Sequence, residues 1–489
     1  MFPRLTRRGS WRACTAVLLL LTAACTDGTS PSPSPSPEKT ASGLPAPPAG
    51  PDTRPALATV DVDTNDRSRL ELVGLNRYGP EHVLVQIRIT NTHDDHLNPM
   101  HQINDHVSDR PDFQHATGIA LVDAEARQVL APLRTPGGCV CSTDEDDYKS
   151  YLDPGEHKTF FAVVPAPSGG ARTTTVLHQM GAPFLNVPIS DEPPTAPPGQ
   201  AVPPPVGEKV VYPIEAHSED PDTEVRDNGR EVEVSISSDV LFAVDSSALA
   251  PAAGRLLEKT AARIGGGTVR VEGHADSTGT DEINDPLSQR RAEAVAERLR
   301  ALVPGAVFEP KGFGSRRPLY SNDEEEGRRR NRRVTITFTR TEATQTPAPA
   351  TSSTSSQADG FTVAPDALRP IGGGLGVLTY TVTNTNPEET WRHEMSHDEG
   401  WQRIRFNAAI NVELADGDHR IRPARYTVRD SSSRANLCLC SSTSGVWIGA
   451  NNFDPKETKH FWALLQLPSA PTTTAEIGDL PAVPVSVTQ

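Results

Sequence analysis

The chain has 489 residues, enough for about three domains. It carries 47 Lys and Arg against 63 Asp and Glu, a net −16 that excludes phosphate-backbone binding as its main task, so no nucleic-acid partner is expected. With 45 prolines and only 5% aromatics, much of it reads as linker rather than core.

Residues 1–25 place arginines before a short apolar run, Ala13 to Leu21, and then small residues. The run is too short to span a bilayer and reads as a secretion signal. Leu21-Thr22-Ala23-Ala24-Cys25 resembles a bacterial lipobox, which implies cleavage before Cys25 and its acylation. Residues 26–56 are rich in Ser, Pro, Thr and Gly and read as a tether from a membrane surface.

Two further linkers, 191–208 (proline-rich) and 341–358 (Ser, Thr and Pro), divide the rest into 57–190, 209–340 and 359–489. The outer two pieces read as copies of each other. Leu84–Thr92 matches Val377–Thr385, Cys139-Val-Cys141 matches Cys438-Leu-Cys440, and Leu152-Asp-Pro154 matches Phe453-Asp-Pro455. Their alternating and β-branched runs predict strands, and their size predicts two immunoglobulin-like β-sandwiches. A C-x-C pair on a strand points both sulfurs to one face. Each pair closes on itself, bridges the copies or holds a soft metal; one pair per copy favours local disulfides, Cys139–Cys141 and Cys438–Cys440.

The middle piece is mixed. Val232–Ile236 alternates as a strand, and Ser246 or Ser247 caps a helix running to Ile264. Thr268–Gly273 is a strand, and Asp285-Pro286 opens a helix whose apolar stripe is Ala292, Val295, Ala296, Leu299 and Leu302. Val307–Phe313 and Val334–Phe338 are strands, and the acid-then-arginine run 323–330 predicts a solvated helix laced by ion pairs.

Asp276-Ser-Thr-Gly279, Asn284, Leu287-Ser288 and Arg291-Ala292, with Val240–Leu249, Gly273-His-Ala-Asp276, Gly312-Phe-Gly314, Pro318 and Asn331-Arg-Arg-Val334, resemble the signature of OmpA-like peptidoglycan-binding domains. The resemblance covers 228–340 and implies a central α/β sandwich, helices on a mixed sheet. It also implies non-covalent binding of the diaminopimelate residue of the peptidoglycan stem peptide. Asp276, Asn284 and Arg291 match the family's site, and Arg332 and Arg333 stand beside it, Arg333 being taken as a fourth contact. The residue types fit unaided. A zwitterion needs one anion and one fixed cation, and a guanidinium grips a carboxylate with two bonds. The competing reading is that Asp276 and Arg291 simply pair with each other, and His274 reads as a strand residue.

The whole reading is a lipid-anchored envelope protein facing the cell wall, not an enzyme, with neither cofactor nor metal. Its partners are then peptidoglycan, a membrane through the anchor, and unknown protein or glycan partners of the β-domains. The alternative is a surface metallohydrolase using His393-Glu394-x-x-His397, which would need a long helix and a third ligand. The first copy has no matching acid at the corresponding place.

Overall fold

The computed structural model describes residues 42–62, 67–104, 114–143, 151–178, 181–339, 355–358, 360–391, 411–429, 434–441 and 452–488. Residues 1–25, read above as a secretion signal ending at Cys25, and His393-Glu394-x-x-His397 lie outside them.

The first β-domain has strands β1 (Ala58–Val62), β2 (Ser68–Arg77), β3 (His82–Asn91), β4 (Ala120–Asp123), β5 (Gln128–Thr135), β6 (Gly138–Cys139), β7 (His157–Pro165), β8 (Thr173–Leu177) and β9 (Phe184–Pro188). One layer has the order β1-β2-β3-β7; in the other, β8 pairs with β9 and β4, and β4 with β5. Alternate residues of both layers, among them Leu72, Val85, Ile87 and Phe160 against Leu121, Leu130, Val176 and Phe184, fill one core.

The proline-rich stretch 191–208 is not a free spacer. Its few apolar residues find partners: Ala196 and Val202 pack with Tyr78, Leu84, Leu133 and Phe161, and Val202 pairs with Leu44. Asp52, in the Ser/Pro-rich segment, is likewise buried, accepting from Arg54 and from Thr159 Oγ1 at 2.8 Å.

The middle domain comprises β10 (Glu208–Glu219), β11 (Thr223–Asp227), β12 (Glu231–Ser237), α1 (Ser238–Leu241), α2 (Ala253–Ala261), β13 (Gly267–Gly273), α3 (Asp281–Leu302), β14 (Ala306–Gly312), α4 (Glu325–Asn331) and β15 (Arg333–Thr339). Its sheet runs β14-β13-β15-β12-β11-β10, with β13 and β14 parallel across the α3 crossover and the other pairs antiparallel. Leu257, Ala292, Val295, Ala296 and Leu299 lay α2 and α3 on the face presented by Val232, Val234, Ile236, Val269, Val271, Val334 and Ile336. The observed α2 is shorter than the sequence predicts. Ser246 Oγ accepts from the Ala248 N–H in a local turn, and Pro251 follows, so regular helix starts only at Ala253. Helix α3 starts four residues before Asp285, behind Thr280, and carries Pro286 inside.

The second β-domain comprises β16 (Ser356–Ala358), β17 (Phe361–Gly372), β18 (Leu375–Asn384), β19 (Thr390–Trp391), β20 (Val412–Asp416), β21 (His419–Arg429), β22 (Arg434–Cys438), β23 (Asn452–Phe453), β24 (Thr458–Gln466), β25 (Thr472–Ile477) and β26 (Leu480–Ser486). Contacts of the first β-domain recur at the matching positions. Asn91 Nδ2 donates to the Leu152 carbonyl, and Asn384 Nδ2 to that of Phe453. Ser142 Oγ accepts from the Phe161 N–H, and Ser441 Oγ from the Trp462 N–H. Cys141 bridges Ala162, and Cys440 bridges Ala463.

Strand β10 joins all three pieces. Its first half pairs with β5, and its second half with β21 on one edge and β11 on the other. Ile214 and Ala216 sit in a shared core with Val122, Val129, Leu375, Val377, Trp462 and Leu464, drawn from both β-domains. Charged side chains lace β10 to β21, where Arg425 donates to Glu215 and Arg422 meets Glu219 at 2.7 Å, and Arg226 pairs with Glu224 on the adjoining β11. His217 is buried among them. Its burial pushes the imidazole down to about 3, a drop that Glu224 only partly offsets.

The unfolded chain therefore binds a proton at His217 near pH 6.5 that the folded chain refuses. Stability from this group is complete above pH 6.5 and declines as pH falls from there toward 3. Melting temperature should fall between pH 6.5 and 4, and His217→Gln should flatten that slope. An unchanged slope in the variant would show that the histidine does not contribute.

Candidate functional site

Asp276 follows the end of β13, in a loop that Gly279 turns with φ +82°. The carboxylate is 4% exposed. Oδ1 accepts from the Thr278 N–H at 2.8 Å and from its hydroxyl, and Oδ2 accepts from Arg332 Nη1 at 2.8 Å. Burial alone would raise this carboxyl, but the Thr278 and Arg332 bonds outweigh it and hold it below its ordinary range, so it stays an anion. Arg332 also donates to Asp239 at 2.9 Å and Glu325 at 3.1 Å, a cation shared among three acids.

Asn284 stands in the first turn of α3, and its N–H is already bonded to the Thr280 carbonyl at 2.9 Å. That N–H is therefore not free to meet an anion at the helix start. The side-chain Nδ2 instead donates to the Thr278 carbonyl at 2.7 Å and braces the Asp276 loop.

Arg291, two turns further along α3, is 9% exposed. Its Nε donates to the Ser246 carbonyl at 2.9 Å, and its guanidinium lies over the Phe242 ring at 5.2 Å. Among the described residues no carboxylate lies within ion-pair distance of it. Burial lowers its pKa, with Asp239 and Asp245 pulling the other way and Arg332 adding to the drop. Asp276 and Arg291 thus do not satisfy each other. Through Arg332, Asp239 and the 242–246 loop they border the same end of the sheet, one anion and one under-compensated cation.

Residues 241–332 match the OmpA family. Related curated proteins include the outer-membrane lipoprotein YfiB of Pseudomonas aeruginosa, 40% identical over 22% of this chain and 64% of that one. The peptidoglycan-binding protein ArfA of Mycobacterium tuberculosis is 37% identical over 18% of this chain and 28% of its own length. The chain thus spans less than two thirds of either relative. Among solved structures, the cell wall anchor of the T6SS from Pseudomonas aeruginosa is 34% identical, covers 24% of this chain and 89% of that one, and has a TM-score of 0.23.

Within the OmpA-like domain, Arg333 departs from its expected place. Arg332, the residue that closes α4, reaches Asp276, and Arg333, the first residue of β15, does not. Arg333 turns to the helix-free face, where Nη1 donates to the Asn331 carbonyl at 3.3 Å and Nη2 to the Arg317 carbonyl at 3.2 Å. The sequence reading set both arginines beside the site, to hold the ligand or the loop, and took Arg333 as the fourth contact; it is Arg332, at the junction of α4 and β15, that turns to Asp276. Asn331 is fully buried and anchors the turn before them, accepting from Leu319 and Tyr320 N–H groups. His274 is a buried strand-end residue stacked on Phe313, its imidazole pushed down to about 3 by burial and the nearby Arg333. Helix α4 carries the expected ion pairs, Arg328 with Glu325 and Arg329 and Arg330 with Glu326. Among the described residues no three His, Cys, Asp or Glu side chains gather as a metal site, and no helix is long and apolar enough to cross a membrane.

Proposed function

We propose that the OmpA-like domain binds peptidoglycan non-covalently by gripping the diaminopimelate zwitterion. Asp276 takes the ammonium and Arg291 the carboxylate, while Asn284 and Thr278 hold the loop in place. The reading is carried by one observation: two nearly buried opposite charges that border the same end of the sheet and leave each other unpaired. A buried guanidinium held by one carbonyl and a ring face has donors to spare for a carboxylate. The name of the ArfA relative, a peptidoglycan-binding protein, agrees. The full chain should co-sediment with insoluble peptidoglycan and be released by free meso-diaminopimelate. Release by salt alone, with no effect of the amino acid, would mean a nonspecific attachment.

In this reading Cys25 is the acylated residue of a lipoprotein lying outside the cytoplasm, and the relatives named as lipoproteins agree. The flanking domains are duplicated immunoglobulin-like sandwiches, supported by their two-layer cores and recurring contacts, and they offer surfaces to protein or glycan partners. Cys139 and Cys141 stand with Cα atoms 5.3 Å apart, as do Cys438 and Cys440, a separation a disulfide spans. Alkylation of the denatured protein without reductant should label none of these four cysteines, and all four after reduction. Four labelled thiols before reduction would reject both bonds.

A further inference from the structure

Two aliphatic side chains stand bare at the end of the OmpA-like domain that carries Asp276 and Arg291. Val244 is 91% exposed and Ile283 58%. Single exposed apolar side chains are ordinary on a protein surface. These two differ in where and how they are held. Val244 lies at the tip of a braced turn. The Ser246 N–H closes that turn onto the Ala243 carbonyl at 3.1 Å, and Phe242 bridges Leu249 behind it. Asp245, the next residue, takes φ +52°, a left-handed conformation that costs a non-glycine residue energy and that only its surroundings can impose. The same turn seats Arg291: the Ser246 carbonyl accepts from Nε at 2.9 Å, and the Phe242 ring lies under the guanidinium at 5.2 Å. Val244 is thus presented beside the cation, two residues from its anchor.

Ile283 stands at the other end of the site. It lies in the first turn of α3, its N–H bonded to the Thr280 carbonyl at 3.0 Å. Its neighbour Asn284 holds the Asp276 loop through the Thr278 carbonyl. Along α3 the i, i+4, i+8 ridge runs from Ile283 through half-buried Leu287 to Arg291. A ligand that spans Asp276 and Arg291 therefore meets Val244 at its carboxylate end and Ile283 at its ammonium end.

We propose that Val244 and Ile283 form an apolar lip that packs on the stem peptide on either side of the diaminopimelate residue. The inference rests on the reading of the Asp276–Arg291 site given above and names what that site recognises: a peptide-borne diaminopimelate in preference to the free amino acid. The two charges answer the zwitterion, and aliphatic side chains add nothing to that. They match instead the methyl groups of the alanines in the stem peptide and its amide backbone, and covering them takes apolar surface out of water. Free diaminopimelate offers no such surface. It also carries a second ammonium and carboxylate where the peptide has amides, and the lip would strip water from them without pairing them.

The test is calorimetric titration of the full chain with two probes, free meso-diaminopimelate and the soluble stem tetrapeptide alanyl-glutamyl-diaminopimelyl-alanine. The tetrapeptide should bind at least about tenfold more tightly, on the scale of one or two aliphatic side chains buried. Val244→Ser and Ile283→Ser should each cut that preference at least about threefold, a part of one side chain's burial. Both side chains are more than half exposed, so either variant should fold. Equal affinity for the two probes, or a preference that neither variant changes, would overturn the lip and leave the Asp276–Arg291 reading standing. Failure of both probes to bind the wild type would overturn that reading and the lip with it.

Discussion

Full chain carrying Asp276→Ala or Arg291→Ala should stay in the supernatant when insoluble peptidoglycan is pelleted, while the wild type sediments. Removing one partner of a desolvated charge contact costs about 2–5 kcal/mol, a loss of roughly thirtyfold to several thousandfold in affinity. The two variants fail for different reasons. Asp276→Ala removes the anion and also leaves Arg332 with only Asp239 and Glu325, so the loop itself should loosen. Arg291→Ala removes a cation that has no carboxylate partner to strand, so this variant should keep wild-type stability or gain slightly. Arg291→Lys separates charge from geometry: it keeps the cation but cannot form two parallel bonds, and it should bind at least about tenfold more weakly than wild type. If Arg291→Ala still pellets with Asp276→Ala soluble, the carboxylate end of the ligand is held elsewhere. If both pellet, the OmpA-like domain keeps its fold without this ligand.

The largest loss of stability is expected at a residue remote from that site. Arg127 leaves the β4–β5 turn of the first β-domain with φ 49° and is 1% exposed. Its guanidinium meets Asp227 of the OmpA-like domain at 3.3 Å and donates through Nε and Nη2 to the Gly373 carbonyl of the second β-domain. Gly229 lies so close that a Cβ there would touch the Arg127 side chain at 3.0 Å. Arg127→Ala should therefore destabilise the folded chain by about 3–5 kcal/mol, because it removes the buried charge contact with Asp227 and the hydrogen bonds to the Asp227 and Gly373 carbonyls. Chemical denaturation should show a lower midpoint and an early phase in which the domains separate. A change below about 1 kcal/mol would mean that the apolar contacts around Ile214 hold the domains together without the arginine.

The OmpA-like domain was legible because its signals are local. Strand alternation, the α3 stripe and the acid-then-arginine run of α4 each lie within a short window, and the structure follows them with small shifts of boundary. Asp285-Pro286 misplaced the start of α3 because Asp281 and Glu282, acids suited to a first turn, precede it and the helix accommodates the proline. The site was legible as a set of residue types but not as a geometry. Arg332 and Arg333 are adjacent and chemically identical, and the junction between α4 and β15 sends one to Asp276 and the other elsewhere. Least legible was the joining of the domains. Nothing near Arg127 signals a partner 246 residues away at Gly373. The composition of 191–208 hides two apolar residues that dock. Pro213 within β10 argues locally against the strand that links the whole chain.

That shared strand has a mechanical consequence. If the OmpA-like domain grips the wall and the N-terminus is held at a membrane, tension enters the first β-domain and leaves through the OmpA-like sheet. It crosses β10, whose two halves belong to different pairings. A pull along the strand loads the hydrogen bonds on both edges together, in shear, instead of opening them one after another. Separation would need a row of bonds and the apolar contacts of Ile214 to fail in concert. Under such a load the domains that β10 joins would resist as one stiff body, not as beads on a slack thread.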